Sequence, residues 1–203
     1  MTESRRIKRS TRAIGSCLVL FAFGVVADLG TKQWALETLS AERHGPTPPV
    51  CEPDAQGLVY MQHVRSRVVV LIDDYLELRY AENCGAAFGF LDNAPGPLRG
   101  VLFVSTALLA IGALSWMFLT GSGGPLFAVS APLVISGAVG NLVDRLRFGY
   151  VIDFIRFHVY DSFEWPTFNV ADAAITVGVA LLFLDGLRQG QAKEQPSPLP
   201  TGP

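Results

Sequence analysis

Two carboxylic acids in this chain sit among apolar neighbours: Asp153 in Val151-Ile152-Asp153-Phe154-Ile155, and Asp172 in Phe168-Asn169-Val170-Ala171-Asp172-Ala173. An ionised carboxylate in such surroundings is costly unless it is paired, hydrogen-bonded or put to use. Two of them brought together at low dielectric cannot both ionise; one keeps its proton and the pair titrates as a unit. Such a pair offers a base to activate water and an acid to polarise a carbonyl, the chemistry of aspartic proteases. Spacing alone leaves two other readings open, structural capping of a helix end and a step in a proton path. Asn169, Asp172 and Thr176 recur at i, i+3 and i+7, on one face of a helix, so an amide and a hydroxyl accompany the second acid.

Further upstream, Ser136-Gly137-Ala138-Val139-Gly140-Asn141-Leu142-Val143-Asp144-Arg145 repeats Gly137, Asn141 and Arg145 every fourth residue, with Gly140 and Asp144 on the neighbouring rows. One face is small and polar and the other aliphatic. Small residues let helices approach closely in lipid, and amides bond across the contact. That reading accounts for the glycines and Asn141 but not for the acids just beyond. Asp28 and Lys32, four residues apart, share a face of an earlier apolar run. They read as a mutual ion pair that helps pack the bundle, with direct substrate contact as the alternative.

The elements that must position these groups are membrane helices. Of the 203 residues 50% are apolar and 17% charged, with a mean hydropathy of +0.34; soluble domains carry roughly a quarter charged residues. A net charge of −2 with no basic stripe among aromatics speaks against nucleic acid as a partner. Three cysteines make no disulfide framework, and no CxxC or Cys/His spacing suggests zinc or another metal. Four runs, Ala13 to about Leu36, Leu98–Leu119, Pro125–Leu146 and Phe168–Leu187, can each cross the ~30 Å hydrocarbon layer. The first is longer than the apolar core of a secretory signal and reads as a retained helix. Ile14-Gly15-Ser16-Cys17 looks like a lipobox, but its apolar stretch follows rather than precedes it, so Cys17 reads as apolar filling.

Residues 1–12 carry Arg5, Arg6, Lys8, Arg9 and Arg12, a basic tail that the positive-inside rule places in the cytoplasm. Four spans bring the other end to the same side, where residues 189–203, rich in Pro, Gly and Gln, read as a disordered cytoplasmic tail. Residues 37–97 and 147–167 then lie outside. Val68–Ile72 is β-branched, and Leu76, Leu78 and Tyr80 alternate with Glu77 and Arg79, which predicts strands of a small sheet. Phe154, Phe157, Tyr160, Phe163, Trp165 and Phe168 give the second segment the aromatic density of a membrane–water interface.

In order along the chain stand Asp28-x3-Lys32; Asn83-Cys84-Gly85-Ala86-Ala87-Phe88-Gly89-Phe90; Gly140-Asn141-Leu142-Val143-Asp144-Arg145 with Gly149-Tyr150-Val151-Ile152-Asp153-Phe154; and Phe168-Asn169-Val170-Ala171-Asp172-Ala173. Spread over most of residues 20–186, these blocks resemble bacterial lipoprotein signal peptidase, or signal peptidase II. The resemblance implies an all-α membrane protein, a four-transmembrane-helix bundle with a small external β-sheet cradle. It implies catalysis by Asp153 and Asp172. Asn83, Gly85, Ala87, Phe88, Gly137, Asn141, Arg145, Asn169 and Ala173 take binding or positioning roles, with Asp28, Lys32 and Asp144 as structural support. The implied substrate is a diacylglyceryl-modified prolipoprotein, cut just before its lipobox cysteine at the outer face of the cytoplasmic (inner) membrane. Membrane lipid is the other expected partner, the enzyme is expected to be a monomer inhibited by globomycin, and no metal or organic cofactor is expected. An ion transporter would place acids near mid-span, whereas these cluster at one face. A non-catalytic scaffold would have lost one of the paired acids.

The expected organisation is a tail over 1–12, a peptidase domain over 13–188 and a tail over 189–203, with the cradle at about 58–92 and an insertion at about 38–66. The insertion reads as a tolerated surface feature, with altered substrate or inhibitor access as the sharper alternative. Cys51 and Cys84 both fall on the oxidising side, which allows a disulfide without requiring one. Cys84 occupies a variable position of its block, and His44, His63 and His158 share no motif.

Overall fold

The computed structural model describes residues 11–54, 56, 58–85 and 96–194. The four apolar runs are helices: α1 (Thr11–Leu39), α2 (Gly96–Leu119), α3 (Phe127–Phe148) and α4 (Val170–Glu194). Each contains a stretch long and apolar enough to cross a membrane, so the chain is a multi-pass membrane protein. Phe23, Leu109, Trp116 and Phe183 lie exposed on outward faces, as lipid contact requires.

α3 packs against the other three helices, and its buried face is built from Ser130, Ala131, Ser136, Gly137, Ala138, Gly140 and Asn141. Lipid is as apolar as a leucine side chain, so close backbone packing rather than hydrophobic burial must hold these helices together. A Cβ at Gly137 would stand 2.4 Å from the Ala171 carbonyl oxygen of α4, and one at Gly140 would stand 2.1 Å from an Asp28 carboxylate oxygen of α1. The small-residue face read from the sequence thus sets two helix–helix distances at once.

Two small sheets sit at the end of the bundle where α3 finishes. β1 (Ser40–Glu42) pairs antiparallel with β2 (His63–Arg65), closing residues 43–62 into a loop. β3 (Val68–Ile72), β4 (Leu76–Asn83), β5 (Val151–Val159) and β6 (Phe163–Glu164) form an antiparallel sheet in that order. Its inner face packs Tyr80, Ile152 and Phe154 on Ala35 and Leu39 of α1. Arg156 of β5 bridges the strands on either side of it, reaching Glu77 of β4 at 2.9 Å and Glu164 of β6 at 2.7 Å. β3 and β4 fall where the alternation places strands. β5 and β6 arise instead in the segment read as an aromatic interface. The first four residues of β5 are buried on both faces, so the alternation that marks a one-sided strand is missing there.

Helix bounds shift by about two or three residues from the apolar runs in α1, α2 and α3, and both ends of α4 shift for visible reasons. Phe168 pairs with Ile155 through backbone bonds of 3.0 and 2.8 Å, so α4 starts at Val170 rather than Phe168. Its far end runs to Glu194, into the stretch read as a disordered tail. Gln189 donates to Asp185 at 2.9 Å one turn back, and Arg188, Gln191 and Lys193 are good helix formers.

Buried Asp185 of α4 accepts N–H bonds from Gly124 (2.7 Å) and Leu126 (3.1 Å), satisfying backbone donors just before α3. Asp185→Ala removes both bonds and strands the donors, at a cost of about 1–3 kcal/mol. It is expected to lower the thermal unfolding midpoint in detergent while leaving the opposite end of the bundle intact; an unchanged midpoint would contradict this account.

Candidate active site

The pieces of the site come from four elements. β4 pairs with β5 so that Ala81 faces Asp153 and Asn83 faces Val151. Asn83 and Asp153 are therefore diagonal neighbours on one face of the sheet, and Asn83 Nδ2 donates to Asp153 Oδ2 at 2.9 Å. The pairing of β5 with Phe168 carries Asn169, the residue before α4, to the other oxygen: its Nδ2 donates to Asp153 Oδ1 at 2.7 Å. Asn169 and Asp172 then cap α4 reciprocally. The Asp172 N–H donates to Asn169 Oδ1 at 2.9 Å, and the Asn169 N–H donates to Asp172 Oδ2 at 3.2 Å. One amide side chain thus touches both acids, and α3 contributes a second: Asn141 Nδ2 donates to Asp172 Oδ1 at 2.8 Å.

The acids differ in surroundings. Asp153 is only 2% exposed, whereas Asp172 is half-buried in the first turn of α4. Burial, and after it the charge of Asp172, pushes the Asp153 carboxyl up to about 8; the Asn83 and Asn169 bonds and the Lys32 charge oppose the rise.

Beneath the pair lies a buried ionic cluster. Lys32 Nζ is 2.9 Å from Asp28 Oδ2 and 3.1 Å from Asp144 Oδ2, and donates to Asn141 Oδ1 at 2.9 Å. The Asp28–Lys32 pair read from the spacing is present, and each carboxylate also ties down backbone. Asp28 Oδ1 accepts the Ala171 N–H of α4 at 2.8 Å, and Asp144 Oδ2 accepts the Ile152 N–H of β5 at 3.0 Å.

The remaining residues singled out in the sequence fall in four groups. Gly85, buried, donates its N–H to Asn83 Oδ1 at 3.1 Å, and Arg145 lays its guanidinium 4.6 Å from the Phe103 ring centroid of α2. Gly137 serves the α3–α4 contact described above. Ala173 and Thr176 are exposed on α4, and the Thr176 hydroxyl turns back to the Asp172 carbonyl at 2.8 Å instead of joining the acids. Ala87 and Phe88 lie outside the described residues. Among the described residues no group of three or more His, Cys, Asp or Glu side chains could hold a metal ion.

A family model described as signal peptidase (SPase) II matches residues 20–188. The chain belongs to that family. It is 42% identical over 124 residues to the lipoprotein signal peptidase of Syntrophus aciditrophicus (strain SB), covering 61% of this chain and 76% of that one. It is 30% identical over 167 residues to the lipoprotein signal peptidase of Clostridium tetani (strain Massachusetts / E88), covering 82% and 89%. A bacterial membrane enzyme solved by the in meso method at 2.3 Å resolution shares the fold, with a TM-score of 0.67 and 24% identity over 92% of this chain and 95% of that one.

Three features of the site region were not read from the sequence. Cys51 and Cys84 are joined in a disulfide, where spacing only allowed one. Buried Arg99 of α2 donates to the Cys51 carbonyl. With Phe103, Arg145 and both cysteines it lines a cavity of about 270 Å³. Glu82 accepts the Gln62 and His63 N–H groups at 2.6 and 2.9 Å. Arg99 and Glu82 are single polar residues whose partners lie far along the chain, so no periodicity marks them.

Removing one member of a buried ion cluster leaves uncompensated charge. Lys32→Met is expected to cost about 3–5 kcal/mol, seen as a large drop in thermal midpoint. Gln33→Ala on the exposed face next to it should change stability by under about 0.5 kcal/mol. Equal effects of the two would refute the cluster's role.

Proposed function

We propose that this protein is a membrane aspartic endopeptidase that cuts the signal peptide from diacylglyceryl-modified prolipoproteins, immediately before the lipobox cysteine. The observation that carries the reading is the convergence of Asp153 and Asp172 on one amide, Asn169, with one acid sealed and the other accessible. Membership of the signal peptidase II family and the name of the relatives, lipoprotein signal peptidase, supply the substrate class.

In this mechanism Asp153 holds the shared proton and Asp172 is the base. Asp172 takes a proton from a water whose oxygen attacks the scissile carbonyl carbon, while Asp153 gives its proton to the carbonyl oxygen. In the tetrahedral intermediate Asp172 passes the proton it took to the amide nitrogen, Asp153 recovers its own as the carbonyl re-forms, and the C–N bond breaks. Asn141 and Asn169 hold Asp172 in place, and Arg145 lies close enough for its charge to act on both acids. The diacylglyceryl chains would anchor the substrate in lipid, presenting the amide where α3 ends and α4 begins. The basic tail argues for both termini in the cytoplasm, which sets the site at the outer face of the inner membrane. A monomer suffices, because the described elements of one chain assemble the whole acid pair.

The test is a gel-shift assay of a diacylglyceryl-modified lipobox peptide. Cleavage is expected, and globomycin is expected to block it. Asp153→Asn and Asp172→Asn should each lower turnover at least ~100-fold, the lower bound of a general acid–base contribution, while the protein stays folded and inserted. Retained turnover in either variant would sink the dyad.

The pH dependence has a definite sign. Asp153 must be protonated to act as the acid, so kcat/KM is expected to fall as pH rises through about 8. The unfolded chain loses that proton near 4, so between there and about 8 the native state binds more protons and this group lowers stability as pH rises. Asp153→Asn removes the penalty and should raise the thermal midpoint more at pH 8 than at pH 5. A gain independent of pH would show that the buried acid is already ionised.

A further inference from the structure

Asn83 is the last residue of β4, so the strand ladder that orients it stops where it stands. Its side chain points toward Asp153, and along a strand its two neighbours must point the other way. Both are held from that side by the 43–62 loop and its β2 edge. Before it, Glu82 accepts the Gln62 N–H at 2.6 Å and the His63 N–H at 2.9 Å, and the Tyr80 hydroxyl donates to it at 3.0 Å. After it, Cys84 is joined covalently to Cys51.

The loop is itself anchored. Cys51 is buried, and its carbonyl accepts from buried Arg99 of α2. Gln62 Nε2 reaches back to the Pro48 carbonyl at 3.0 Å. Val50 lies against Gly149, the left-handed residue that ends α3, where a Cβ would come within 2.9 Å of it. A surface loop that only added length would need neither these anchors nor the bonds to Glu82 and Cys84.

We propose that Glu82, Cys84 and Cys51 are positioning residues of the peptidase: the loop grips both neighbours of Asn83 and thereby fixes the amide that holds Asp153, so the site depends on an intact Cys51–Cys84 disulfide. The inference rests on the peptidase reading above. A dithiol can undo the grip. Its thiolate attacks one sulfur, its second thiol resolves the mixed disulfide, and two electrons and two protons pass to Cys51 and Cys84 as the reagent becomes a cyclic disulfide.

The experiment compares the purified full-length protein, oxidised and dithiol-reduced, with the Cys51→Ser/Cys84→Ser variant. Two readouts are taken: turnover of the lipobox peptide, and the Asp153 titration by infrared difference spectroscopy, assigned with Asp153→Asn. The charged groups around Asp153 are Asp172 of α4, Lys32 of α1, and Asp144 and Arg145 of α3. Reduction alters none of these groups covalently. The Asn83 bond favours the ionised form, so loosening it should move the titration to higher pH, together with the alkaline limb of the rate profile. Reduction is expected to lower kcat/KM about tenfold, the effect of one hydrogen bond to a charged group. The double Ser variant should match the reduced protein and ignore the dithiol. Glu82→Gln in the oxidised protein should shift the titration in the same direction.

Reduction that leaves turnover and titration unchanged overturns the proposal. So does a fall in turnover or thermal midpoint with an unmoved titration, which is what a merely stabilising disulfide would give. An oxidised protein without turnover would defeat the peptidase reading instead, and the infrared titration would still decide whether the loop positions Asn83.

Discussion

Buried charge is the constraint around which this molecule is arranged. Four carboxyls, Asp28, Asp144, Asp153 and Asp172, meet at one end of the bundle, with Lys32 and Arg145 as the cations beside them. An ammonium can only donate, so Lys32 turns the oxygen of Asn141 toward itself and the Asn141 amide nitrogen toward Asp172. The Asp172 N–H likewise claims the oxygen of Asn169 and turns the Asn169 nitrogen toward Asp153. Each amide is oriented by a group with no choice of role. The cluster holds more acids than bases, and burial together with the charge of Asp172 pushes the carboxyl of Asp153, the more buried of the pair, upward.

The same contacts explain why backbone and side chains cannot be separated here. Asp28 ties α1 to the start of α4, Asp144 ties α3 to β5, and Gly140 leaves room for the first of these. Helices in lipid gain little from burying apolar surface against each other. A polar cluster satisfied by three helices and a strand therefore specifies how they meet. At the far end Asp185 does comparable work with two backbone donors and the Gln189 amide.

How much of this the sequence discloses follows from the physics of each feature. The four helices are legible because the membrane fixes a length and an apolar composition. The α3 contact face is legible because Gly137, Gly140 and Asn141 repeat with the helix. The Asp28–Lys32 pair is legible because four residues is one turn. The residues around Asp153 and Asp172 alone left a dyad, a helix cap and a proton path open, and Asp172 does take part in a cap with Asn169. Capping and proximity to Asp153 are compatible, since the cap is what delivers Asn169 to both acids. β5 was not legible because burial on both faces erases its alternation. The start of α4 was misplaced because Phe168 is spoken for by β5. Glu82, Arg99 and Asp185 gave no signal, because a polar residue bonded to distant backbone looks like any other polar residue in the chain.

In the proposed mechanism the two acids divide the requirements of hydrolysis in a membrane. Water must reach a base, and an acid must keep its proton against that base's charge. There Asp172, half-buried in the first turn of α4, meets the first requirement, and Asp153, buried in β5, meets the second. The two amides on Asp153 come from separate segments, Asn83 at the end of β4 and Asn169 at the head of α4. Neither helix bundle nor sheet alone could place both. Under the proposed mechanism the sheet is part of the catalytic apparatus, because it carries the acid and one of the two groups that hold it. The sheet is accordingly fastened to the bundle by backbone pairing with Phe168 and by the Asp144 carboxylate, and to the 43–62 loop by a disulfide.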